Sequence, residues 1–311
     1  MFSFLTSPNY PKAALGIEAS GLSAISLADA GKGQFAVKQA ATVELPAGLV
    51  TPNFSDVNIS DDAEFFECLK EVIGISGLMG QKRWSVALPS NSARTAILSL
   101  DSEPASRAEA EEVIDWKAEQ NFGVPASQLR IARQKISPDK NGRSRYFATA
   151  VKLTVIDEYE THFERMGWKA GLILPRAIGE ANWLLGGPVD SDSLLISGNN
   201  SGFTALLLRG EEPAVVRSVL CMPEEIDDEI YRLVMFYNDR FARAAGGGRL
   251  DRMLVLGKTL VPDRVKTIAS DALGRALHVL TADDIGLDLP GDGPSFNDLA
   301  APAGLARLGF A

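Results

Sequence analysis

The sequence predicts an α/β protein built from two similar lobes, and three observations support this fold class. Two segments about 180 residues apart, 14–27 and 194–208, each read as a strand, a tight turn of small polar residues and a second strand with alternating apolar positions. Strands and helices alternate after each of these hairpins. The 311 residues also exceed the roughly 250 to 300 at which a single core stops growing.

In the first half, a third strand from Gln34 to Leu45 follows the hairpin. Asp61 or Asp62 then caps a helix whose apolar residues recur every three or four positions. Ser106 stands three residues before Glu109, which is the spacing of a capping box, and it begins the most regular helix of the chain. Gly123 and Pro125 are expected to end this helix. The other predicted elements are strands at 84–89, 95–100, 129–136, 146–153 and 172–174, and helices at 156–166 and 177–185.

The second half repeats this order. A strand and a long amphipathic helix follow the second hairpin, and three glycines, Gly246 to Gly248, end that helix. The predicted elements are a strand at 214–220, a helix at 224–245, a strand at 253–256, a helix at 265–273, a strand at 276–280 and a last helix at 302–308.

Composition and charge exclude several classes of function. The formal net charge of −9 disfavours a nucleic-acid binder, which would carry a basic face, and it disfavours direct attachment to anionic lipid. No stretch approaches the roughly 18 apolar residues of a membrane span. The two cysteines, Cys68 and Cys221, lie far apart and are expected to be free thiols in a reducing cytoplasm. No nucleophile elbow, Walker loop, dinucleotide fingerprint or histidine–cysteine metal cluster occurs, so no catalytic residue and no metal ligand is assigned.

The two hairpins are the candidate functional site. They resemble the pair of facing hairpins with which actin-like ATPases hold nucleotide phosphates, where each hairpin carries an Asp that holds metal and water. Here the two corresponding positions are Glu18 and Ser197. We expect them on opposite walls of one cleft between the lobes. The predicted phosphate-contacting residues are Glu18, Ser20 and Gly21 in the first hairpin and Ser197, Gly198, Asn199 and Asn200 in the second.

Three further segments make the chain resemble the PilM family, the actin-like cytoplasmic proteins of type IV pilus machines, which are related to FtsA. The most specific is the acidic helix from Glu109 with its Trp-x-Ala-Glu-Gln ending at Gln120, followed by Phe122 and Pro125. The others are the strand before Pro89 and the C-terminal segment 304–310. The resemblance implies an actin-like (ribonuclease H-like) fold of duplicated lobes with an inserted FtsA-type small α+β subdomain. Its implied bounds are 1–86 for the first lobe, 87–172 for the insert and 173–311 for the second lobe, whose C-terminal helix returns to the first.

The resemblance also implies a function. PilM-like proteins are adaptors at the inner face of the inner membrane, where they bind the short cytoplasmic tail of the bitopic membrane protein PilN. By this resemblance, the partners are a PilN-like tail, other proteins of the pilus platform and a second copy of the chain, in a pilus or a related secretion machine.

The chain departs from the family at the phosphate hairpins, which leaves alternatives open. Glu18 stands where the family has Asp, and Ser197 and Gly198 stand where it has Asp-Ile-Gly. The adenosine-side loop, Gly257 and Lys258, lacks the consecutive glycines. Glu18 is either a metal-associated carboxylate or a strand-end residue, and Lys258 either contacts a phosphate or is solvated. The main interpretation is an adaptor with a degenerate nucleotide site; the alternative is an active actin-like protein that binds or hydrolyses ATP with Mg²⁺.

Overall fold

The computed structural model describes residues 9–102, 104–186, 191–242 and 249–310. The chain divides into two compact units. Unit 1 comprises Met1–Ser92, Val155–Asn182 and Ala282–Ala311, and unit 2 comprises Ala93–Thr154 and Trp183–Thr281. Within the described ranges, no helix is both long enough and apolar enough to cross a membrane. The domain bounds predicted at residues 86 and 172 stay a prediction.

Unit 1 is built on a six-stranded sheet with the strand order β14-β3-β2-β1-β4-β8. The strands are β1 (Ala13–Glu18), β2 (Gly21–Gly31), β3 (Gln34–Glu44), β4 (Arg83–Leu88), β8 (Lys169–Pro175) and β14 (Leu287–Asp288). The helices are α1 (Asp62–Ser76), α3 (Leu153–Arg165), α4 (Arg176–Ala181) and α7 (Phe296–Arg307).

Helix α7 is the centre of unit 1. Every residue from Leu299 to Ala306 is buried, and the helix packs on β1, β2, β4 and α4. Gly16 of β1 permits this close approach, because a Cβ there would stand 3.2 Å from the Pro302 ring. The helix was expected to begin at Pro302; it begins at Phe296, where the Ser295 side chain accepts a hydrogen bond from the Asp298 N–H. Packing on all sides outweighs the backbone hydrogen bond that a proline inside a helix removes.

Unit 2 contains a five-stranded sheet with the order β11-β10-β9-β12-β13. Its strands are β9 (Ser191–Asn199), β10 (Gly202–Arg209), β11 (Glu212–Leu220), β12 (Arg249–Leu256) and β13 (His278–Val279). Helices α5 (Ile226–Tyr237) and α6 (Pro262–Leu273) bury their apolar sides against it in one hydrophobic core. The predicted 224–245 helix passes into a π-helical turn at Asn238–Ala242, and its predicted stop at Gly246–Gly248 lies outside the described residues.

The two sheets repeat one topology. In both, a three-stranded antiparallel meander (β1-β2-β3 and β9-β10-β11) is followed by two strands parallel to its first strand: β4 and β8 in unit 1, and β12 and β13 in unit 2. Helices separate the parallel strands, as crossover connections require. The predicted duplication of α/β lobes is therefore confirmed.

Unit 2 also contains the segment that interrupts this repeat after β4. It forms a three-stranded antiparallel sheet, β5-β7-β6, and the helix α2 (Arg107–Phe122). The strands are β5 (Arg94–Ser99), β6 (Leu129–Ile136) and β7 (Arg145–Lys152). Ser106 caps α2 by accepting from the Glu109 N–H, and Gly123 ends it with a φ of 71°, as the sequence predicts.

Candidate functional site

The first hairpin is a tight connection between β1 and β2 in unit 1. Glu18 pairs with Gly21 across a turn made by Ala19 and the exposed Ser20. A Cβ at Gly21 would stand 2.8 Å from the Val43 carbonyl oxygen, so only glycine fits against β3 at this point. The strand–turn–strand form predicted for this segment is therefore present in unit 1.

The carboxylate of Glu18 is held by Arg176, a residue that sequence reasoning did not single out. Arg176 is the first residue of α4, and its side chain is 8% exposed. Its guanidinium donates to Glu18 Oε1, to Glu180 Oε1 at 2.5 Å and to the Asn297 carbonyl oxygen at 2.8 Å. One buried cation thus ties the end of β1 to α4 and to the start of α7.

The electrostatics of this cluster favour the charged guanidinium. Burial alone would lower the pKa of Arg176, but the carboxylates of Glu18 and then Glu180 outweigh it, and the pKa lies above its ordinary value. Glu180 is fully buried one helical turn after Arg176, whereas the Glu18 side chain is 31% exposed. Arg176 therefore supplies Glu18 with a positive charge from within unit 1.

The second hairpin joins β9 to β10 in unit 2. Asn199 pairs with Gly202, whose φ is 134°, and the Asn199 side chain accepts a hydrogen bond from the Ser201 N–H at 2.8 Å within the turn. Ser197 is fully buried, and its hydroxyl has no hydrogen-bond partner among the described residues. Asn200 is exposed at the tip of the turn.

The loop after β12 lies against this hairpin. Leu256 pairs with Ser197 because β12 runs parallel to β9, so the carboxyl ends of both strands meet at one edge of the sheet. Gly257 has a φ of 109°, and a Cβ there would stand 2.5 Å from the Gly198 carbonyl oxygen. The structure thus brings Ser197, Gly198, Asn199 and Asn200 together with Gly257 and the exposed Lys258.

Close packing fills the space beside Gly198. A Cβ at Gly198 would stand 2.7 Å from Thr259 Oγ1 and 2.8 Å from Leu260 Cγ. The Gly198 backbone also lies close to Gly257. Gly198 and Ser197 are both buried as a result. The chain itself therefore covers the backbone at Gly198.

The predicted residues do not fit a metal–nucleotide centre. Glu18 is the only carboxylate among the nine predicted positions, and it is paired with Arg176. Mg²⁺ needs oxygen ligands, usually one or two carboxylates along with the phosphates. The Ser197 hydroxyl, at the position of the second acid, is buried. The cleft predicted to join the two hairpins stays a prediction.

A second candidate site, which the sequence did not predict, is a large open groove within unit 2. Its volume is about 1480 Å³, above the range of roughly 300–1,000 Å³ that suits small ligands. Strand β5, an edge of the three-stranded sheet, and strand β11, an edge of the five-stranded sheet, both line it. The loop at Pro138–Lys140 and the end of α5 with its π-helical turn close its sides.

The comparisons with known proteins support the fold. No family model matches the sequence, and no curated protein matches it. In structure, the chain is similar to a chain of the PilM-PilN type IV pilus biogenesis complex, with a TM-score of 0.77 and 17% identity over 98% of this chain and 100% of that one.

Two more solved structures share less of the fold. The cytoplasmic domain of EpsL, an inner-membrane component of the type II secretion system of Vibrio cholerae, has a TM-score of 0.47 at 9% identity, over 96% of this chain and 92% of that one. A Bacteroides thetaiotaomicron protein with an actin-like ATPase fold has a TM-score of 0.46 at 13% identity, over 98% of each. The predicted resemblance is confirmed at the level of the fold: the chain has the actin-like fold of the PilM-type proteins.

Proposed function

We propose that this chain is a PilM-like adaptor of a type IV pilus or related secretion platform, which binds the cytoplasmic tail of a PilN-like membrane protein. The similarity in fold over 98% of the chain to a member of the PilM-PilN complex supports this proposal. The chain acts in the cytoplasm at the inner face of the inner membrane, and the partner tail holds it there.

The observation that carries the adaptor interpretation is the ion pair between Arg176 and Glu18. An actin-like motor needs the acid of its first hairpin to place a metal ion and the attacking water. Here a buried guanidinium pairs with Glu18 and fixes it to α4 and α7. These contacts support a first hairpin that the chain holds without a nucleotide.

The groove of unit 2 is where we place the partner tail. An extended peptide can add to a sheet edge through main-chain hydrogen bonds while its side chains enter pockets on either side. Strand β5 joins only β7, and β11 joins only β10, within the described residues. Because β5 and β11 also contact each other in part, a tail would occupy the length of edge that this contact leaves open. The groove lies next to the inserted segment, where a PilN-like tail is expected.

The alternative function is ATP binding, favoured by one observation. Asn199, Asn200 and Lys258 gather at one edge of the unit 2 sheet, beside the turn between β9 and β10. Backbone amides of turns can hold phosphate without carboxylates. This alternative predicts that Mg-ATP binds to the chain and stabilises it.

Two measurements test the proposal. The full chain should capture a synthetic PilN-like N-terminal tail, read from the gene for a bitopic protein beside the chain's own gene, and a scrambled tail should fail. Mg-ATP at a millimolar concentration should leave the melting temperature unchanged, whereas a ligand at a hundred times its dissociation constant adds about 2.7 kcal/mol. Failure to bind the tail would overturn the adaptor function, and a clear shift with Mg-ATP would favour the alternative.

A further inference from the structure

The four tryptophans of the chain differ sharply in their burial. Trp84, Trp168 and Trp183 are 1%, 5% and 3% exposed, whereas Trp116 on helix α2 is 53% exposed. An exposed indole leaves a large apolar area in water, and tryptophan is enriched among the residues that carry the binding energy of protein interfaces. Trp116 therefore marks the outer side of α2 as a candidate docking surface.

The spacing of an α-helix defines which residues share this surface with Trp116. Positions three, four and seven residues away lie on the same side of a helix. We call this side the Trp116 face, and it consists of Glu109, Glu112, Val113, Trp116, Glu119 and Gln120. The buried side of the helix consists of Ile114, Ala118 and Phe122. The Trp116 face thus carries three carboxylates, and none of its six positions is Lys or Arg.

The three carboxylates of the Trp116 face keep their negative charge. Glu112 is exposed to solvent. Glu109 Oε2 accepts a hydrogen bond from the Ala105 N–H at 2.7 Å, and Glu119 Oε1 accepts one from the Ala126 N–H at 2.8 Å. Because both donors are neutral backbone groups, these bonds hold the carboxylates in place without balancing their charge.

Two cations flank the Trp116 face among the described side chains, and each is balanced elsewhere. Lys117 Nζ lies 2.6 Å from Asp101 Oδ2 and 5.2 Å from the centroid of the Trp116 ring. Arg133 Nη1 lies 3.1 Å from Asp115 Oδ1. Since Asp101 and Asp115 are both outside the Trp116 face, the surface around the indole stays negative.

This combination of groups favours one kind of ligand. The ring of a tryptophan attracts a Lys or Arg cation over its face, and the apolar stem of such a side chain can pack on the same ring. The neighbouring carboxylates attract the same cation and repel an acidic segment. Charge complementarity therefore selects a basic segment with apolar surface.

We propose that the Trp116 face binds a basic segment of the partner tail, in which a Lys or Arg side chain lies over Trp116 and pairs with Glu112. This inference rests on the proposed adaptor function. It specifies the part of the tail beside the membrane span, because Lys and Arg concentrate at the cytoplasmic ends of such spans. Asn121, the residue after Gln120, lines the groove of unit 2, so one tail can continue from the groove onto this face.

The test uses the full chain and labelled peptides with the repeats Lys-Gly-Leu, Gln-Gly-Leu or Glu-Gly-Leu, with affinity read by fluorescence anisotropy. The wild type should bind the Lys peptide most tightly and the Glu peptide least. Trp116→Ala should weaken binding of the Lys peptide about tenfold or more, and Glu112→Lys should weaken it about threefold to tenfold. Raising the salt concentration should weaken the wild-type complex.

Helix α5 supplies matched controls for both substitutions. Tyr231→Ala removes another exposed aromatic ring, at a residue that is 45% exposed, and Asp228→Lys makes the same change in net charge as Glu112→Lys. Neither residue lines the groove, so both variants should bind the Lys peptide nearly as the wild type does. Equal affinities for the three peptides, or equal losses in the α2 variants and their α5 controls, would overturn the inference.

Quenching of tryptophan fluorescence by acrylamide locates the bound peptide. One tryptophan of the four is exposed, so the wild type should show one readily quenched component, and Trp116→Phe should lack it. A saturating concentration of the Lys peptide should protect this component from acrylamide. Unchanged quenching at saturation would place the peptide elsewhere and overturn the inference.

The PilN-like tail separates this inference from the proposed function. If the wild type, Trp116→Ala and Glu112→Lys capture the tail equally well, the basic anchor is wrong while the adaptor function stands. If the Lys peptide binds in a Trp116-dependent way and the tail does not bind at all, the adaptor function is wrong and the chemistry of the Trp116 face stands.

Discussion

The two hairpins have the same topology, but different contacts hold them. The first has a carboxylate, Glu18, that is paired with the buried Arg176. The second has Ser197 at a fully buried position, with Gly257 and Leu260 packed against Gly198. The difference shows that one hairpin topology can be held through charge pairing in one unit and through packing in the other.

The largest expected effect comes from breaking the charge pairing of the first hairpin. Arg176→Met should destabilise the protein by about 3–5 kcal/mol, because it leaves Glu180 buried without its counter-ion. Arg232→Met removes an exposed ion pair instead and should cost less than about 1 kcal/mol. Thermal melting of the two variants compares them, and equal losses would show that the Arg176 cluster has no structural role.

Restoring the acid to the second hairpin should be the next largest change. Ser197→Asp places a carboxylate at a fully buried position and should cost about 3 kcal/mol at neutral pH. Burial raises the pKa of such a carboxyl, so the loss should shrink as the pH falls through the raised pKa and the side chain becomes neutral.

Ser197→Ala is the matched control for that change. It removes a hydroxyl that has no partner in the described structure, so it should be neutral or stabilising by up to about 1 kcal/mol. Urea unfolding at two pH values would check both variants. A stable, acid-independent Ser197→Asp protein would mean that position 197 opens to solvent.

The packing of the second hairpin can be tested separately at its glycine contact. Gly257→Ala should cost about 2 kcal/mol, because its φ of 109° is strained for alanine and the new Cβ meets the Gly198 backbone. Gly142→Ala has a comparable φ of 78° with no atom within 4 Å, so its loss should stay near 1 kcal/mol. Similar melting temperatures would show that the contact between Gly257 and Gly198 is unimportant.

The smallest predicted effect concerns the buried histidine of unit 1. His162 is buried, and burial lowers its pKa although Asp62 opposes the shift. The unfolded chain therefore binds a proton near pH 6.5 while the folded chain does not, so stability should fall as the pH drops below about 6.5.

Between pH 7 and pH 5.5, the free energy of unfolding should fall less in His162→Gln than in the wild type, by less than about 1 kcal/mol. Unfolding curves at the two pH values decide the matter, and identical slopes in the wild type and in His162→Gln would contradict the assignment.

The sequence predicted the elements that local patterns encode. The two hairpins, the Ser106 cap with the Gly123 stop and the alternation of strands and helices depend on neighbouring residues, and the structure contains all of them. The predicted start of α7 was wrong, because a proline such as Pro302 is typical of the first turn of a helix. The burial that allows Pro302 inside the helix depends on the packing of the whole of unit 1.

The site was harder to predict because its contacts join distant segments. Arg176 reaches Glu18 across 158 positions of sequence. A usable signal was present, since Arg176 follows the apolar run before Pro175 and has an acid, Glu180, at the i+4 position. The groove gave no comparable signal, because β5 and β11 belong to different sheets and each reads as an ordinary strand.

The central claim is that the chain holds its partner without help from a nucleotide. The most direct measurement is the affinity of the full chain for the PilN-like tail with and without Mg-ATP at a millimolar concentration. Equal affinities are expected, because the hairpins are organised by Arg176 and by the packing at Gly198. A change of tenfold or more, equivalent to a coupling of about 1.4 kcal/mol, would contradict it.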